Sequence, residues 1–321
     1  MLKNFGLRWV AIIGGSIIGL LLVAVVVVFL YPLGSDRLQQ AQPRTLSFAE
    51  AVTAGKQAVS GDTSDPQVLP DCRSKLLTHG RKTAKAVLML HGYTSCPSDY
   101  GELAQLFYER GYNVYVPRES HHGLRDVQAS SKVSSSGLID YADGAMNVVA
   151  GLGDEVGVIG ISGGGVLATW LAEYRSDTVT HLLALSPFYQ PGSSQAPSFV
   201  IKPLIVLFGN RLLPDRKVGD RDHDFTLAGL AQYLRIVRNY RDTPTNPKLR
   251  SVSVVFSAAD SFIDHKLAAS LPAKIGQSNG LTVTTREFPA ELALPHNILA
   301  PANLGTRAQE IENLYFTLYE S

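Results

Sequence analysis

From about residue 69 onward, short apolar runs alternate with stretches of helical spacing, and this alternation constrains the fold more than any other feature of the chain. Residues 86–90, 112–116, 155–160, 181–185, 252–256 and 281–288 read as strands. Helical spacing covers 99–110, 141–151 and 166–174, and a last helix is expected over about 304–319. Continuous apolar strands are buried on both faces, and their alternation with helices predicts an α/β fold. Its central sheet would be mostly parallel, with helices on both faces. The rhythm breaks between about 189 and 248, where an apolar stretch (201–208) and an amphipathic run (227–240) flank a Pro/Asp/Arg-rich turn. A structureless loop of that length does not suit a compact domain, so a partly helical cap insertion over one end of the sheet is expected.

Residues 10–30 carry no charged side chain and one hydroxyl, Ser16. At about 1.5 Å per residue the run measures roughly 31 Å, enough to cross a bilayer core. A cleavable signal peptide is the competing reading. Its apolar core is usually about 7–15 residues and is followed by a small-x-small site. Tyr31-Pro-Leu-Gly-Ser-Asp-Arg37 contains no good site of that kind. The expected division is a short tail over 1–9, a transmembrane anchor over 10–30, a stalk or linker over 31–68 with one short helical stretch around Phe48 to Val59, and one globular domain over 69–321. Lys3 and Arg8 precede the span, while Arg37 and Arg44 follow it. The amino terminus and the closeness of Arg8 tip the balance towards N-terminus inside. The chain has no Asn-x-Ser/Thr acceptor, which suits a periplasmic face better than a glycosylated luminal one.

With 29 Lys+Arg against 28 Asp+Glu and no basic run, the chain lacks the electrostatic footprint of a nucleic-acid binder. Two cysteines, Cys72 and Cys96, exclude a disulfide-built fold and a four-cysteine zinc site. In an oxidising compartment they are expected to pair, closing a loop of about 25 residues worth roughly 3 kcal/mol. In a reducing compartment both remain thiols. His223 lies among Asp220, Asp222 and Asp224, but Arg221 interrupts the group and no second histidine is near. A solvated loop is the favoured reading there, and neither metal nor cofactor is expected.

The chemistry centres on Gly160-Ile-Ser162-Gly-Gly164, a G-x-S-x-G pattern entered by an apolar strand and left through Gly163–Gly165 into a helix. This context puts the serine on a tight, strained turn, where small neighbours let the backbone pass and the helix N-terminus favours developing negative charge. Together with Leu88-Met-Leu-His-Gly-Tyr-Thr-Ser95, Gly111-Tyr-Asn-Val-Tyr-Val-Pro-Arg118 and His122-Gly123, it makes the chain resemble the α/β-hydrolase superfamily from about residue 85 to its end. The resemblance is to the esterase, monoacylglycerol-lipase and serine-aminopeptidase-like branch.

The resemblance implies Ser162 as nucleophile, followed along the chain by an acid and then a histidine. Asp260 is the first carboxylate past the 252–256 strand, with Asp264 as rival. His296 follows the last strand and is the only histidine after His265, which is expected to be solvated. The backbone N–H groups of Tyr93 and Gly163 are implied as the oxyanion hole, with His91 structural and His121 and His122 in turn roles. The expected function is a membrane-anchored serine hydrolase acting through an acyl-enzyme on small carboxylic esters, acyl or lipid esters included. A peptidase or thioesterase on the same triad, and a catalytically silent anchored binding module, are the alternatives. Ile201 and Leu204–Phe208 either cover an acyl pocket or form plain core.

Overall fold

The computed structural model describes residues 2–218 and 225–321. Helix α1 spans Leu2–Leu30, so the expected tail continues the apolar helix. Its window Ile13–Leu30 has a mean hydropathy of 2.9 and none of its residues is buried. A membrane span and a signal sequence both have this character.

The strands are β1 (Lys75–Leu77), β2 (Thr83–Leu90), β3 (Asn113–Val116), β4 (Gly153–Ile161), β5 (Val179–Leu185), β6 (Lys217–Val218), β7 (Phe225–Thr226), β8 (Ser251–Ser257) and β9 (Thr284–Phe288). Seven of them form one sheet in the order β1-β3-β2-β4-β5-β8-β9, while β6 and β7 make a separate hairpin. All pairs in the main sheet are parallel except β1 with β3. The six parallel strands coincide with the six apolar runs. β1 escaped notice because it is three half-buried residues long, too short for a period to show.

After α1 the helices are α2 (Phe48–Ser64), α3 (Gly101–Glu109), α4 (Ser135–Ala150), α5 (Gly163–Tyr174), α6 (Ser198–Leu207), α7 (Leu227–Val237), α8 (His265–Ser278), α9 (Pro301–Leu304) and α10 (Ala308–Glu320). Alternate residues of a strand point to opposite faces, so each face has its own core. Leu88 and Leu90 of β2 join Val158, Leu167, Trp170 and Met146 beneath α4 and α5. Val87 and Met89 join Phe107, Ile159, Tyr315 and Tyr319 beneath α3 and α10.

The segment 31–68 is not a free stalk. Leu38 is buried, and its carbonyl accepts the Trp170 indole N–H at 2.7 Å. Asn239, just past α7, donates to the Leu33 carbonyl and accepts from Ser35 N–H. Helix α2 opens with a reciprocal cap between Ser47 and Glu50 and lays Ala51 against the Gly151 turn that ends α4. Near its end, buried Asp62 accepts from Ser74 N–H and Oγ and pairs with Arg118 at 2.7 Å. Arg118 in turn donates to the carbonyls of Glu119, Ser120 and His122. The expected linker therefore helps to shape the loop that follows β3.

The expected insertion is present as α6, the β6–β7 hairpin and α7, with Ile201, Ile205 and Leu234 packed onto the carboxyl end of the sheet. It places α7 over the turn at Ser162, with the Tyr233 ring against Gly163.

Candidate active site

Ser162 sits between β4 and α5 at φ 54°, ψ −117°, a conformation that costs an L-residue energy and persists only where its surroundings enforce it. Neighbouring strands supply the enforcement. Ser162 N–H donates to the Leu185 carbonyl of β5, and its carbonyl accepts from Phe188 N–H. The flanking glycines leave no room for a side chain. A Cβ on Gly160 would come within 2.1 Å of the Gly164 carbonyl, and one on Gly164 within 2.0 Å of the Leu90 carbonyl.

The Ser162 hydroxyl donates to His296 Nε2 at 2.8 Å, and His296 Nδ1–H donates to Asp260 Oδ2 at 2.7 Å. The Asp260 carboxylate is wholly buried, and its Oδ1 accepts from Phe262 N–H. Thus three side chains from the ends of β4, β8 and β9 meet in one hydrogen-bonded chain. The rival acid, Asp264, caps α8 instead, accepting from Leu267 N–H. His265 is half-buried, and its Nε2 lies 2.5 Å from the Asp260 carbonyl, so it is not the solvated residue expected. The His296 loop is pinned by Asn297, which donates to Asp99 and accepts from Leu299 and Ala300 N–H. Burial raises the Asp99 pKa above the usual carboxylate range, against the pull of Asn297 and Ser95.

The loop after β2 carries Tyr93 directly over the site. Among the described residues, neither Tyr93 N–H nor Gly163 N–H donates to a backbone acceptor outside regular helix and strand bonding. Gly92 N–H is not free in this way, since it donates to Ser95 Oγ at 2.9 Å. His91 is fully buried, with Nδ1 at 2.9 Å from the Gly92 carbonyl and Nε2 accepting Glu119 N–H. Burial first, and then the neighbouring His122, push its pKa down to about 3, so the ring is neutral. It joins the loop after β2 to the loop after β3. Burial of Glu119 opposes its ionisation, but His122 and His121 hold its pKa down to about 2. The Cys72–Cys96 bond is formed and ties the loop after β2 to the turn before β1.

A pocket opens on Ser162, lined by Tyr93, Gly163, Phe188, Phe225, Leu230, Tyr233, Phe262 and His296 among others. Phe188, Phe225, Leu230 and Phe262 continue into a second groove with Pro191, Leu204 and Leu227. Of the apolar residues expected to cover such a pocket, Leu204 lines the groove, whereas Ile201, Ile205 and Val206 are buried core. Sequence reading missed Phe188, Tyr233 and Phe262. The signal was there for two of them, since Phe188 follows β5 and Phe262 follows Asp260 at the sheet's carboxyl end, where α/β folds build sites. No group of three metal-ligating side chains occurs among the described residues, and the Asp220–His223–Asp224 cluster lies outside them.

Residues 81–275 match the family described as serine aminopeptidase, S33. A thermostable monoacylglycerol lipase of Bacillus sp. (strain H-257) is 30% identical over 99 residues, a stretch covering 28% of this chain and 36% of that relative. The solved monoacylglycerol lipase of Paleococcus ferrophilus superposes with a TM-score of 0.57 at 18% identity, over 77% of this chain and 98% of that one. A structure described under the metagenome-derived lipolytic enzymes LipS and LipT gives 0.56 at 18% identity, over 79% and 99%. The strand order, the strained serine turn and the match over most of the central domain lead to one assignment: the chain belongs to the serine aminopeptidase, S33, family of the α/β-hydrolase superfamily.

Proposed function

We propose that the protein is a membrane-anchored serine hydrolase that cleaves carboxylic esters with an apolar acyl group. The observation that carries this reading is that the Ser162–His296–Asp260 chain opens into a pocket almost entirely apolar in its lining. Ser162 Oγ attacks the acyl carbonyl while His296 Nε2 takes its proton. Asp260 keeps the imidazole in the tautomer that leaves Nε2 free and stabilises the imidazolium that forms. Tyr93 and Gly163 N–H receive the oxyanion, an arrangement in which one donor is typically worth about 10²–10³ in rate. The protonated His296 then gives its proton to the leaving alcohol. Water attacks the acyl-enzyme with His296 again as base.

The acyl chain lies along Phe188, Phe225, Leu230 and Phe262 towards Leu204. A peptidase acting on free amino termini needs a carboxylate for the substrate ammonium, and among the described residues the pocket lining contains no Asp or Glu. Helix α1 is read as the anchor, with the domain on the extracytoplasmic side, where the Cys72–Cys96 bond persists. A fluorophosphonate probe with mass mapping of the adduct, run beside p-nitrophenyl esters of increasing acyl length, tests the assignment. Label on Ser162 that disappears in His296→Ala, with turnover rising from acetyl to medium-chain esters, is expected. A folded protein without label or turnover on any ester would overturn it.

A further inference from the structure

Where the chain leaves α1, three cations lie without an opposing carboxylate among the described residues. The two most deeply buried arginines are paired, Arg118 with Asp62 and Arg175 with Asp143 and Asp177. Arg235, half-buried on α7, and Arg238, exposed just beyond it, lie one turn apart and have no ion pair among the described residues. Arg235 donates to Asn210 Oδ1 and to the Ile205 carbonyl of α6, and its Nε is buried without a partner. Arg238 makes a long bond to Gln190 Oε1. Burial lowers the Arg235 pKa below the usual arginine value. Lys202, one turn before Ile205 on α6, is also free of any ion pair among the described residues.

Their position matters as much as their charge. Arg235 is near enough to the Tyr31 hydroxyl to interact with it electrostatically, and Tyr31 is the first residue after α1. Asn239, four residues after Arg235, holds Leu33 and Ser35, and the end of α1 comes against α6. Leu33 itself packs into the core beneath the cap. The arginines are therefore fixed at the level where the apolar span ends, which in a bilayer is the depth of the lipid phosphates.

We propose that Arg235 and Arg238 bind the phosphate of an anionic phospholipid headgroup at the foot of α1, making the cap–anchor junction a lipid-binding site. This rests on reading α1 as a retained membrane anchor. The phosphodiester supplies the counter-charge that the protein omits, and guanidinium groups match its oxygens in paired bonds. The site lies on the anchor side of α7, away from the Ser162 pocket, and takes no part in ester cleavage.

The test uses the full chain in mild detergent, offered equimolar phosphatidylglycerol and phosphatidylcholine and examined by native mass spectrometry. Preferential retention of phosphatidylglycerol is expected, falling by about fivefold for each arginine replaced in R235Q, R238Q and the double variant. The R235K/R238K variant should keep part of the preference. Ester turnover of a soluble substrate should stay unchanged in all of them, which shows that the fold survives. Equal retention of the two lipids, or unchanged retention in the double variant, overturns the proposal. Protection from heat by inorganic phosphate alone, with no lipid retained, overturns the assignment to a lipid. Intact mass separates this proposal from the anchor reading. A chain cut after residue 30 ends both, whereas an intact, vesicle-bound chain with no lipid preference overturns only the headgroup site.

Discussion

At the site, each of the three central side chains is held by groups that do no chemistry themselves. Asp260 is oriented by Phe262 N–H, the His296 loop by Asn297 on Asp99, and Ser162 by bonds to the residues ending β5. Asp260→Asn preserves the shape but presents the wrong partner to Nδ1, and kcat is expected to fall by roughly 10⁴ with little change in KM. Steady-state kinetics on a chromogenic ester measures it. Asn297→Ala loosens the histidine loop, and a smaller loss, about 10-fold to 100-fold in kcat, is expected in the same assay.

Stability should fall in acid for a reason visible in individual residues. His91 titrates near 3 in the folded protein against 6.5 unfolded, so the unfolded chain binds the proton more readily. Its contribution is complete above pH 6.5 and is lost as pH falls towards 3. His181, whose pKa is also lowered by burial, acts with the same sign. Glu119, at about 2 against 4.5, adds a further loss below pH 4.5. Between pH 7 and 5 the histidine loss runs against the gain from buried Glu173 and Glu312, so the urea midpoint is expected to fall clearly only below about pH 4.5, where those two carboxyls are protonated in both states. Ser162, Asp260 and His296 could be found from sequence because each lies in the loop past the carboxyl end of a parallel strand, in the order serine, acid, histidine. Tyr233 could not, because an aromatic in an amphipathic run has no mark of facing a site rather than a core.

Helix α5 runs from the strained serine to Tyr174, and every residue in it is buried. One of them is Glu173, whose carboxylate accepts Arg241 N–H. Burial lifts its pKa to about 8, so the folded protein holds this proton more tightly than the unfolded chain does. The resulting stability is present below pH 4.5 and is lost as pH rises through 8. Glu173→Gln keeps an acceptor for Arg241 and removes the titration. The variant should melt at a higher temperature than the parent at pH 9 and close to it at pH 5. Helix α2 shows why the 31–68 segment read as a stalk. The sequence predicts a short helix there over about 48–59, but its docking was not legible, because the residues it fully buries, Ala51, Gly55 and Asp62, are small or polar and Phe48 and Val52 are only partly buried. Deleting residues 1–30 should leave the urea midpoint nearly unchanged. Deleting 1–68 removes Leu38, Ala51 and Asp62 together and should lower it by several kcal/mol of stability.

Across the whole molecule, two connections far apart in sequence govern the site. The Cys72–Cys96 bond closes a loop with a sequence separation of 24. Its removal in C72S/C96S should cost roughly 3 kcal/mol and lower turnover, because it releases the loop that carries Tyr93. Thermal unfolding with and without a dithiol reductant measures the first effect. The second connection is the docking of residues 33–39 onto α7 and Trp170, which leaves hardly any slack between α1 and the pocket. A hydrolase swinging on a long tether would sample dissolved substrate in every direction. With α1 across a bilayer, this one would be held at a fixed height and tilt, searching a plane rather than a volume. Its rate would then follow the number of substrate molecules per unit area of lipid, and would fall when inert lipid dilutes the surface at constant bulk concentration.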